Sequence, residues 1–99
     1  DSQQKNPLSF ALSQNHPNPF NPSTKIDFAL SQSSYVTFQI YDILGRKVRT
    51  LVSQQLSSGQ QSVIWDGKND AGKDIASGIY FYQLRIGDFS ESKKMLLLK

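Results

Sequence analysis

Residues 26–40 read IDFALSQSSYVTFQI and carry the pattern that decides the fold class. Apolar residues stand at every second position over residues 26–30, and they do so again over residues 36–40 after a Ser/Gln turn. Successive side chains of a β-strand point to opposite faces, so a period of two predicts a strand with one buried face. We therefore expect two strands here. Because they follow each other so closely, we also expect them to pair in antiparallel fashion.

The same period extends to both sides of this stretch. Strand-like segments also lie at residues 8–12, 46–56, 61–65, 79–86 and 89–99. Irregular apolar spacing within the second of these predicts a bulge near Arg49 to Leu51. Gly45 precedes that strand in YDILGRKV, where glycine supplies the positive φ of a hairpin. In the fourth segment, IYFYQLRI, we expect the inward face to consist of Tyr80, Tyr82, Leu84 and Ile86.

About seven short strands with turn residues roughly every 8–12 positions, and no helical period, predict an all-β protein. We expect an Ig-like/FnIII-like antiparallel β-sandwich. Residues 1–7 are predicted to be a linker remnant, and residues 8–99 a single domain. The core is expected to contain Phe28, Val36, Phe38, Ile40, Val63, Trp65, Tyr80, Tyr82 and Leu84.

The composition of the 99-residue chain supports folding but offers little chemistry. Hydrophobic residues make up 37%, which is too much for a disordered segment. Without cysteine there is neither a disulfide framework nor a thiolate metal site. The single histidine, His16, lies in a proline-rich loop, and no nucleophile or phosphate-binding motif is present. We expect no enzymatic activity and no cofactor.

The charge pattern argues against nucleic acid as a partner. The net charge is +3, but the basic residues are scattered along the chain rather than clustered, so we expect no nucleic-acid binding.

No stretch approaches the roughly 20 apolar residues that a membrane-spanning helix needs. The start, DSQQKN, lacks the apolar core of a signal peptide, so we expect Asp1 to be an internal position of a longer protein.

The acidic segment after Trp65 is the one candidate metal site. Asp66, Asn69, Asp70 and Asp74 lie close together on a polar loop, and oxygen ligands on a flexible loop suit calcium. Their spacing does not match the EF-hand pattern. The alternative, which we prefer, is structural: an Asp between a strand and a glycine holds a turn by accepting backbone N–H groups.

Aromatic residues on an outer sheet face provide a candidate carbohydrate site. Tyr35, Tyr41 and Phe81 fall on the predicted outward positions, where rings stack on sugars. Aromatic residues also favour strands for packing reasons alone, and this is the simpler interpretation.

Four motifs occur in order: HPNPFNPSTKIDFAL, VTFQIYDILGRKVRTL, GQQSVIWDGKNDAGKDIASGIYFYQL and the terminal KKMLLLK. Together they resemble the type A C-terminal sorting domain of the type IX secretion system of Bacteroidetes, over roughly residues 14–99. The Ig-like domain of the flagellar hook-capping protein shares the middle motifs. The structural motif positions carried over are Pro17, Asn18, Pro19, Phe20, Asn21, Pro22, Trp65, Asp66, Gly67, Gly78, Tyr80 and Tyr82.

This resemblance implies a non-catalytic signal that directs a preceding cargo protein across the outer membrane. The implied partners are the outer-membrane translocon, a shuttle protein and a sortase that usually removes the domain. The implied location is the periplasm in transit, then the cell surface or the medium. Two alternatives stay open: an Ig-like structural or assembly module, and a carbohydrate-binding module.

The recognition site is expected at the terminal strand, together with the Gly45 hairpin. An edge strand presents unpaired backbone groups that a partner extends by strand addition, while lysines add charge selectivity. The candidate recognition residues are Gly45, Arg46, Lys93, Lys94, Met95, Leu96, Leu97, Leu98 and Lys99.

Overall fold

The structure, a computed structural model, describes residues 10–99. These residues form two antiparallel sheets, one of three strands in the order β1-β2-β5 and one of four strands in the order β4-β3-β6-β7. The strands are β1 Phe10–Leu12, β2 Thr24–Leu30, β3 Ser34–Tyr41, β4 Lys47–Leu56, β5 Gly59–Trp65, β6 Gly78–Ile86 and β7 Phe89–Leu97. No helix occurs among the described residues. The predicted all-β, Ig-like sandwich is confirmed.

The alternation read from the sequence gives each sheet its buried face. In β2 and β3 every second residue is buried from Thr24 and from Ser34 onward. In β6 the buried set is Tyr80, Tyr82, Leu84 and Ile86, as predicted. The two sheets bury these faces against each other, which removes the apolar side chains from water.

The predicted pairing of β2 with β3 is wrong. β2 pairs with β1 and β5, whereas β3 pairs with β4 and β6 in the other sheet. The connection at residues 31–33 crosses from one sheet to the other and lays the two apolar faces together. Phe28 and Phe38 consequently meet across the sandwich with ring centroids 5.7 Å apart. Alternation identifies which face of a strand is buried, but it does not identify the neighbouring strand.

The core is larger than predicted and omits one residue. Its buried members are Leu12, Phe20, Ile26, Phe28, Leu30, Val36, Phe38, Ile40, Trp65, Tyr80, Tyr82, Leu84, Ile86, Met95 and Leu97. Val63 is only partly buried. It lies on β5, an edge strand of the three-stranded sheet, where an inward side chain has a neighbouring strand on one side only. Trp65 on the same strand is fully buried because the rings of Phe20 and Tyr80 cover it at 5.6 and 5.7 Å.

The expected irregularity of β4 is present at two positions. The β3–β4 register shifts between Phe38 and Gln39, and again between Ile40 and Tyr41. Leu51 and Val48 are the extra residues, so the predicted bulge near Arg49 to Leu51 is confirmed. The first strand begins at Phe10, and both Leu8 and the predicted linker at residues 1–7 lie outside the described residues.

Candidate functional site

The proline segment, Pro17–Pro22, covers the outer edge of the last strand. Its anchor is Phe20, which is 2% exposed and packs on Trp65. The Phe20 N–H donates to the Leu96 carbonyl at 3.0 Å, and the Leu98 N–H donates to the Phe20 carbonyl at 3.0 Å. The Asn18 side-chain oxygen accepts the Leu96 N–H, also at 3.0 Å. The backbone edge at Leu96–Leu98 is therefore occupied, and our expectation of unpaired backbone groups is wrong at these residues.

The rest of the β7 edge is more open. Gln14 donates its side-chain N–H to the Lys94 carbonyl at 2.8 Å. Nearer the start of β7, the only strand that pairs with it among residues 10–99 is β6. Within the described residues, the edge that β7 offers to a partner strand thus lies between Phe89 and Lys93.

The terminal segment, Lys93–Lys99, divides into packing and surface residues. Met95 and Leu97 are buried in the core, whereas Leu98 is about half exposed at 48%. The Lys99 backbone N–H donates to the Ser77 hydroxyl at 2.9 Å, which ties the segment to the start of β6. Of the candidate recognition residues in this segment, Met95 and Leu97 serve the core and cannot contact a partner while the domain is folded.

The Gly45 turn, Asp42–Arg46, is organised by one carboxylate. Asp42 accepts the backbone N–H groups of Leu44 and Arg46, both at 2.9 Å, and the Arg46 side chain at 2.8 Å. The backbone N–H of Arg46 is the main reason that the pKa of Asp42 lies below its usual value of 3.8. Gly45 takes φ +81°, the left-handed conformation that favours glycine.

This turn places two apolar side chains on the surface. Ile43 is 67% exposed and Leu44 is 72% exposed, the largest values among the exposed large hydrophobic residues described. Gly45 and Arg46, the two predicted recognition residues here, shape the turn that exposes Ile43 and Leu44.

The Gly45 turn and the terminal segment lie at the same end of the four-stranded sheet. The start of β6 separates them, because Tyr41 of β3 stands opposite Phe81 and Leu97 of β7 stands opposite Gly78. A shallow depression of about 340 Å³ lies between the turn and Ser77–Tyr80. Two segments about 50 residues apart in sequence are thus brought to one end of the sandwich.

The loop between β5 and β6, residues 66–77, carries the W-D-G motif and is held by its own side chains. The Trp65 ring N–H donates to the Lys68 carbonyl at 2.9 Å, and Asp66 accepts the Lys68 backbone N–H at 3.1 Å. Gly67 takes φ +77°, and a Cβ at this position would stand 2.9 Å from the Pro22 carbonyl oxygen. The glycine therefore lets this loop lie directly on the proline segment.

The four candidate calcium ligands in this loop have protein partners. Asp66 faces Arg49 at 3.2 Å, and Asp70 accepts the Thr50 N–H at 3.0 Å. Asn69 accepts the backbone N–H groups of residues 71 and 73, and Asp74 bonds Lys68 at 2.8 Å. Within residues 10–99 no group of three or more metal-binding side chains comes together. The contacts agree with the turn-forming role that we preferred.

The three aromatic residues considered for sugar binding do not form one platform. Tyr41 and Phe81 stand opposite each other on neighbouring strands of the outer face. Tyr35 lies on the same strand as Tyr41 but roughly 20 Å further along it, and its hydroxyl bonds Ser53 at 2.8 Å. Only two of the three could touch the same ligand.

A buried polar cluster was not predicted from the sequence. The Tyr82 hydroxyl donates to the Ser13 carbonyl at 2.7 Å and accepts the Asn15 backbone N–H at 2.9 Å. The Asn15 side chain in turn donates to the Thr24 hydroxyl at 3.0 Å. Burial raises the pKa of Tyr82 to about 12. A lone asparagine before His-Pro gives no sequence signal of this role, because its partners are distant in the chain.

His16 lies outside this cluster and on the surface. Its ring nitrogen is 3.1 Å from the Asp27 carboxylate, and both side chains are exposed.

No helix among residues 10–99 is long and apolar enough to cross a membrane.

The sequence matches the family described as the FlgD Ig-like domain over residues 13–86. The chain belongs to this family. The matched range contains β2 to β6 with the Gly45 turn and the W-D-G motif, whereas β7 lies beyond it. No curated protein matches the chain.

Solved structures contain similar domains. Dimeric latent PorU from Porphyromonas gingivalis gives a TM-score of 0.78 at 20% identity, over 98% of this chain and 10% of that chain. PorZ, described as an essential bacterial surface component of the type-IX secretion system of Porphyromonas gingivalis, gives 0.60 at 21% identity, over 87% and 11%. FlgD from Xanthomonas campestris gives 0.62 at 25% identity, over 88% and 64%.

In each of these structures the part similar to this chain belongs to a longer protein chain. The chain spans about a tenth of PorU and PorZ and less than two thirds of FlgD. With PorU and PorZ, at 20% and 21% identity, it shares the fold.

Proposed function

We propose that this FlgD Ig-like domain is a non-catalytic sorting module that directs a cargo protein through the type IX secretion system. The observation that carries the proposal is the position of the Gly45 turn and the terminal segment at the same end of the four-stranded sheet, on either side of the start of β6. Both segments belong to the motifs that resemble the sorting domain. The similarity in fold to PorZ, a surface component of that system, supports the same assignment.

Because part of the β7 edge is occupied, the proposed mode of partner binding is side-chain contact rather than strand addition. Strand addition at Leu96–Leu98 would first require the proline segment to leave, and Phe20 is buried against Trp65. We therefore propose that the translocon or shuttle contacts side chains at this end of the sandwich. The exposed candidates are Ile43 and Leu44 on the turn and Leu98 on the terminal segment.

The proposed route follows from this role. A cargo protein joined before the domain passes through the periplasm, and the outer-membrane machinery then moves it to the surface or the medium. A sortase cuts on the cargo side of the sandwich, since a protease needs extended, accessible backbone and the two sheets offer little of it.

The test is a secretion assay with fold-preserving variants. A signal peptide and a fluorescent reporter are fused before residues 1–99 and expressed in a bacterium with an active type IX system. We expect the reporter at the surface or in the medium with the unchanged domain, and retained in the periplasm with Ile43→Ser/Leu44→Ser. Deletion of the last five residues is a poor variant, because it removes the core residues Met95 and Leu97.

Ile64→Ser is the matched control. Ile64 is 66% exposed, close to Ile43, but it lies on β5 of the other sheet. We expect normal export of this variant. Periplasmic retention of the unchanged fusion would contradict the sorting function, and equal export of both variants would contradict the assignment of the site.

A structural or assembly module is the second candidate, and the family match favours it. FlgD from Xanthomonas campestris is described in connection with hook capping and flagellar assembly. If this role holds, the unchanged fusion stays in the periplasm, and loss of the domain from its natural protein disrupts an assembly rather than export.

A further inference from the structure

The outer face of the four-stranded sheet carries an aromatic pair flanked by two lysines. Lys47 of β4 stands opposite Tyr41 of β3, Tyr41 opposite Phe81 of β6, and Phe81 opposite Lys94 of β7. Residues directly opposite each other in a sheet project from the same face. One row across all four strands thus reads Lys-Tyr-Phe-Lys.

Apolar side chains extend this row toward the end of the sheet. Ile79 stands opposite Leu96 on the same outer face, and Ile79 is 41% exposed. Ile79 lines both the depression of about 340 Å³ beside the Gly45 turn and a second one of about 230 Å³ beside Asn18 and Lys94. Ile79 is therefore common to the two depressions. We call this surface the lysine-flanked face.

The opposite boundary of the lysine-flanked face is polar. The next row along the strands consists of Thr50, Gln39, Gln83 and Ser92. The Tyr41 hydroxyl donates to the Gln39 side chain at 2.6 Å, so the phenol points to this polar row while its ring contributes to the apolar surface. A compact apolar patch with a defined boundary is typical of an interaction site.

The charge around the face is positive and not neutralised. Within the described residues, Lys47 and Lys94 make no ion pair. The nearby carboxylate of Asp42 is occupied by Arg46 and by backbone N–H groups of its own turn. The two lysines are thus available to anionic groups of a partner.

We propose that the lysine-flanked face binds an acidic, apolar segment of a partner protein. The backbones of β4 and β7 are three strand spacings apart, which is about 14 Å. An extended segment rises about 3.3 Å per residue, so carboxylates four residues apart span this distance. An aromatic or aliphatic residue midway between them then lies over Tyr41 and Phe81.

The charges favour this occupant over two others. Two copies of the domain packed through this face would bring Lys47 and Lys94 against lysines of the other copy, which costs energy through like-charge repulsion. A neutral sugar would stack on the rings but would leave both lysines without a partner. The inference goes beyond the proposed function, because binding to this face does not depend on the domain being a sorting signal.

The test uses the full 99-residue chain, labelled with ¹⁵N, and synthetic peptides. The probe is Glu-Ser-Trp-Ser-Glu, in which the two glutamates and the tryptophan project from one side of an extended chain. Lys-Ser-Trp-Ser-Lys is the charge-reversed control. We expect the acidic peptide to shift the amide signals of residues 41, 79, 81 and 96, and the basic peptide to leave them unchanged.

Variants of the domain locate the charges. The double variant Lys47→Gln/Lys94→Gln should bind the acidic peptide with about five-fold lower affinity, because it loses about 1 kcal/mol from two exposed ion pairs. Lys73→Gln, in the loop between β5 and β6, is the matched control and should bind as the unchanged protein does. Ile79→Ser should also reduce binding and leave the remainder of the spectrum folded.

Other results would overturn the proposal. These are equal binding of both peptides, shifts confined to another surface, and no shift at millimolar acidic peptide. Binding of cellohexaose to the same residues would reassign the face to glycans. Shifts that depend on protein concentration alone would reassign it to self-association. All of these measurements are independent of secretion, so failure here is distinguishable from failure of the sorting function.

Discussion

Replacing Tyr82 by Phe tests whether the buried polar cluster holds the segment before β2 against the sandwich. The change removes one oxygen and keeps the ring, which stacks on Phe38 at 5.7 Å with an interplanar angle of 11°. The hydroxyl is buried and serves two backbone groups, the Ser13 carbonyl and the Asn15 N–H. The variant leaves both groups without their partner.

The expected loss follows from these two contacts. A buried donor or acceptor left unsatisfied costs about 1–3 kcal/mol. Asn15 is buried and its N–H takes this cost, whereas Ser13 is exposed and water can bind its carbonyl. We therefore expect the free energy of unfolding to fall by about 2 kcal/mol. For a domain of this size that corresponds to a decrease in Tm of roughly 10 °C.

The pH dependence of the free energy of unfolding provides a second, independent test of the role of Tyr82. Burial raises the pKa of Tyr82 from 10.0 to about 12, so the folded state keeps the phenol proton that the unfolded state loses. The stabilisation from this group is complete below pH 10 and is lost as the pH rises toward 12. By pH 12 the loss amounts to about 2 kcal/mol. The phenylalanine variant lacks this contribution, so the difference in stability between the two proteins should shrink by that amount.

Urea denaturation followed by circular dichroism at pH 7 and between pH 10 and 12 measures both effects. Tyr35→Phe is the matched control, because Tyr35 is 56% exposed and its hydroxyl bonds Ser53 at the surface. We expect it to change stability by less than about 0.5 kcal/mol. Equal losses for the two variants, or a constant stability difference up to pH 12, would refute the role assigned to Tyr82.

Two further predictions concern the turns that bound the candidate site. Gly67→Ala should cost about 2–3 kcal/mol, because φ is +77° and the new Cβ would stand 2.9 Å from the Pro22 carbonyl. Gly72→Ala, at φ +80° with open space around it, should cost about 1 kcal/mol in the same urea experiment, and equal costs would contradict the close approach. Arg46→Gln should raise the pKa of Asp42 only part of the way to 3.8, since backbone N–H donors remain. Because that pKa is lowered on folding, the carboxylate stabilises the domain above about pH 4 and less at lower pH. A ¹³C NMR titration measures it, and a full return to 3.8 would show that the side chain alone is responsible.

The motifs that resemble a sorting domain pack against one another in the fold. The proline segment contacts the W-D-G loop at Gly67 and the terminal strand at Leu96. Phe20 fills the space over Trp65, which the edge position of β5 would otherwise leave open. Much of each motif is therefore explained by packing, and the partner recognition that we propose is assigned to the exposed residues between the motifs' buried positions.

The local pattern of the sequence determined the strands and their buried faces. Alternation over residues 26–30, 36–40 and 79–86 identified three strands and which side chains point inward. The bulge in β4 and the turn at Gly45 were also readable, because glycine at positive φ and irregular apolar spacing are properties of a few neighbouring residues.

Only the tertiary structure decided which strands pair and which edges remain available. The pairing of β2 with β5 rather than β3, and the cover of the proline segment over Leu96–Leu98, join residues far apart in the chain. A period of two specifies a buried face but is the same for every possible neighbour, so it cannot choose among them. For the same reason the row of Lys47, Tyr41, Phe81 and Lys94 became visible only once four strands had been placed side by side.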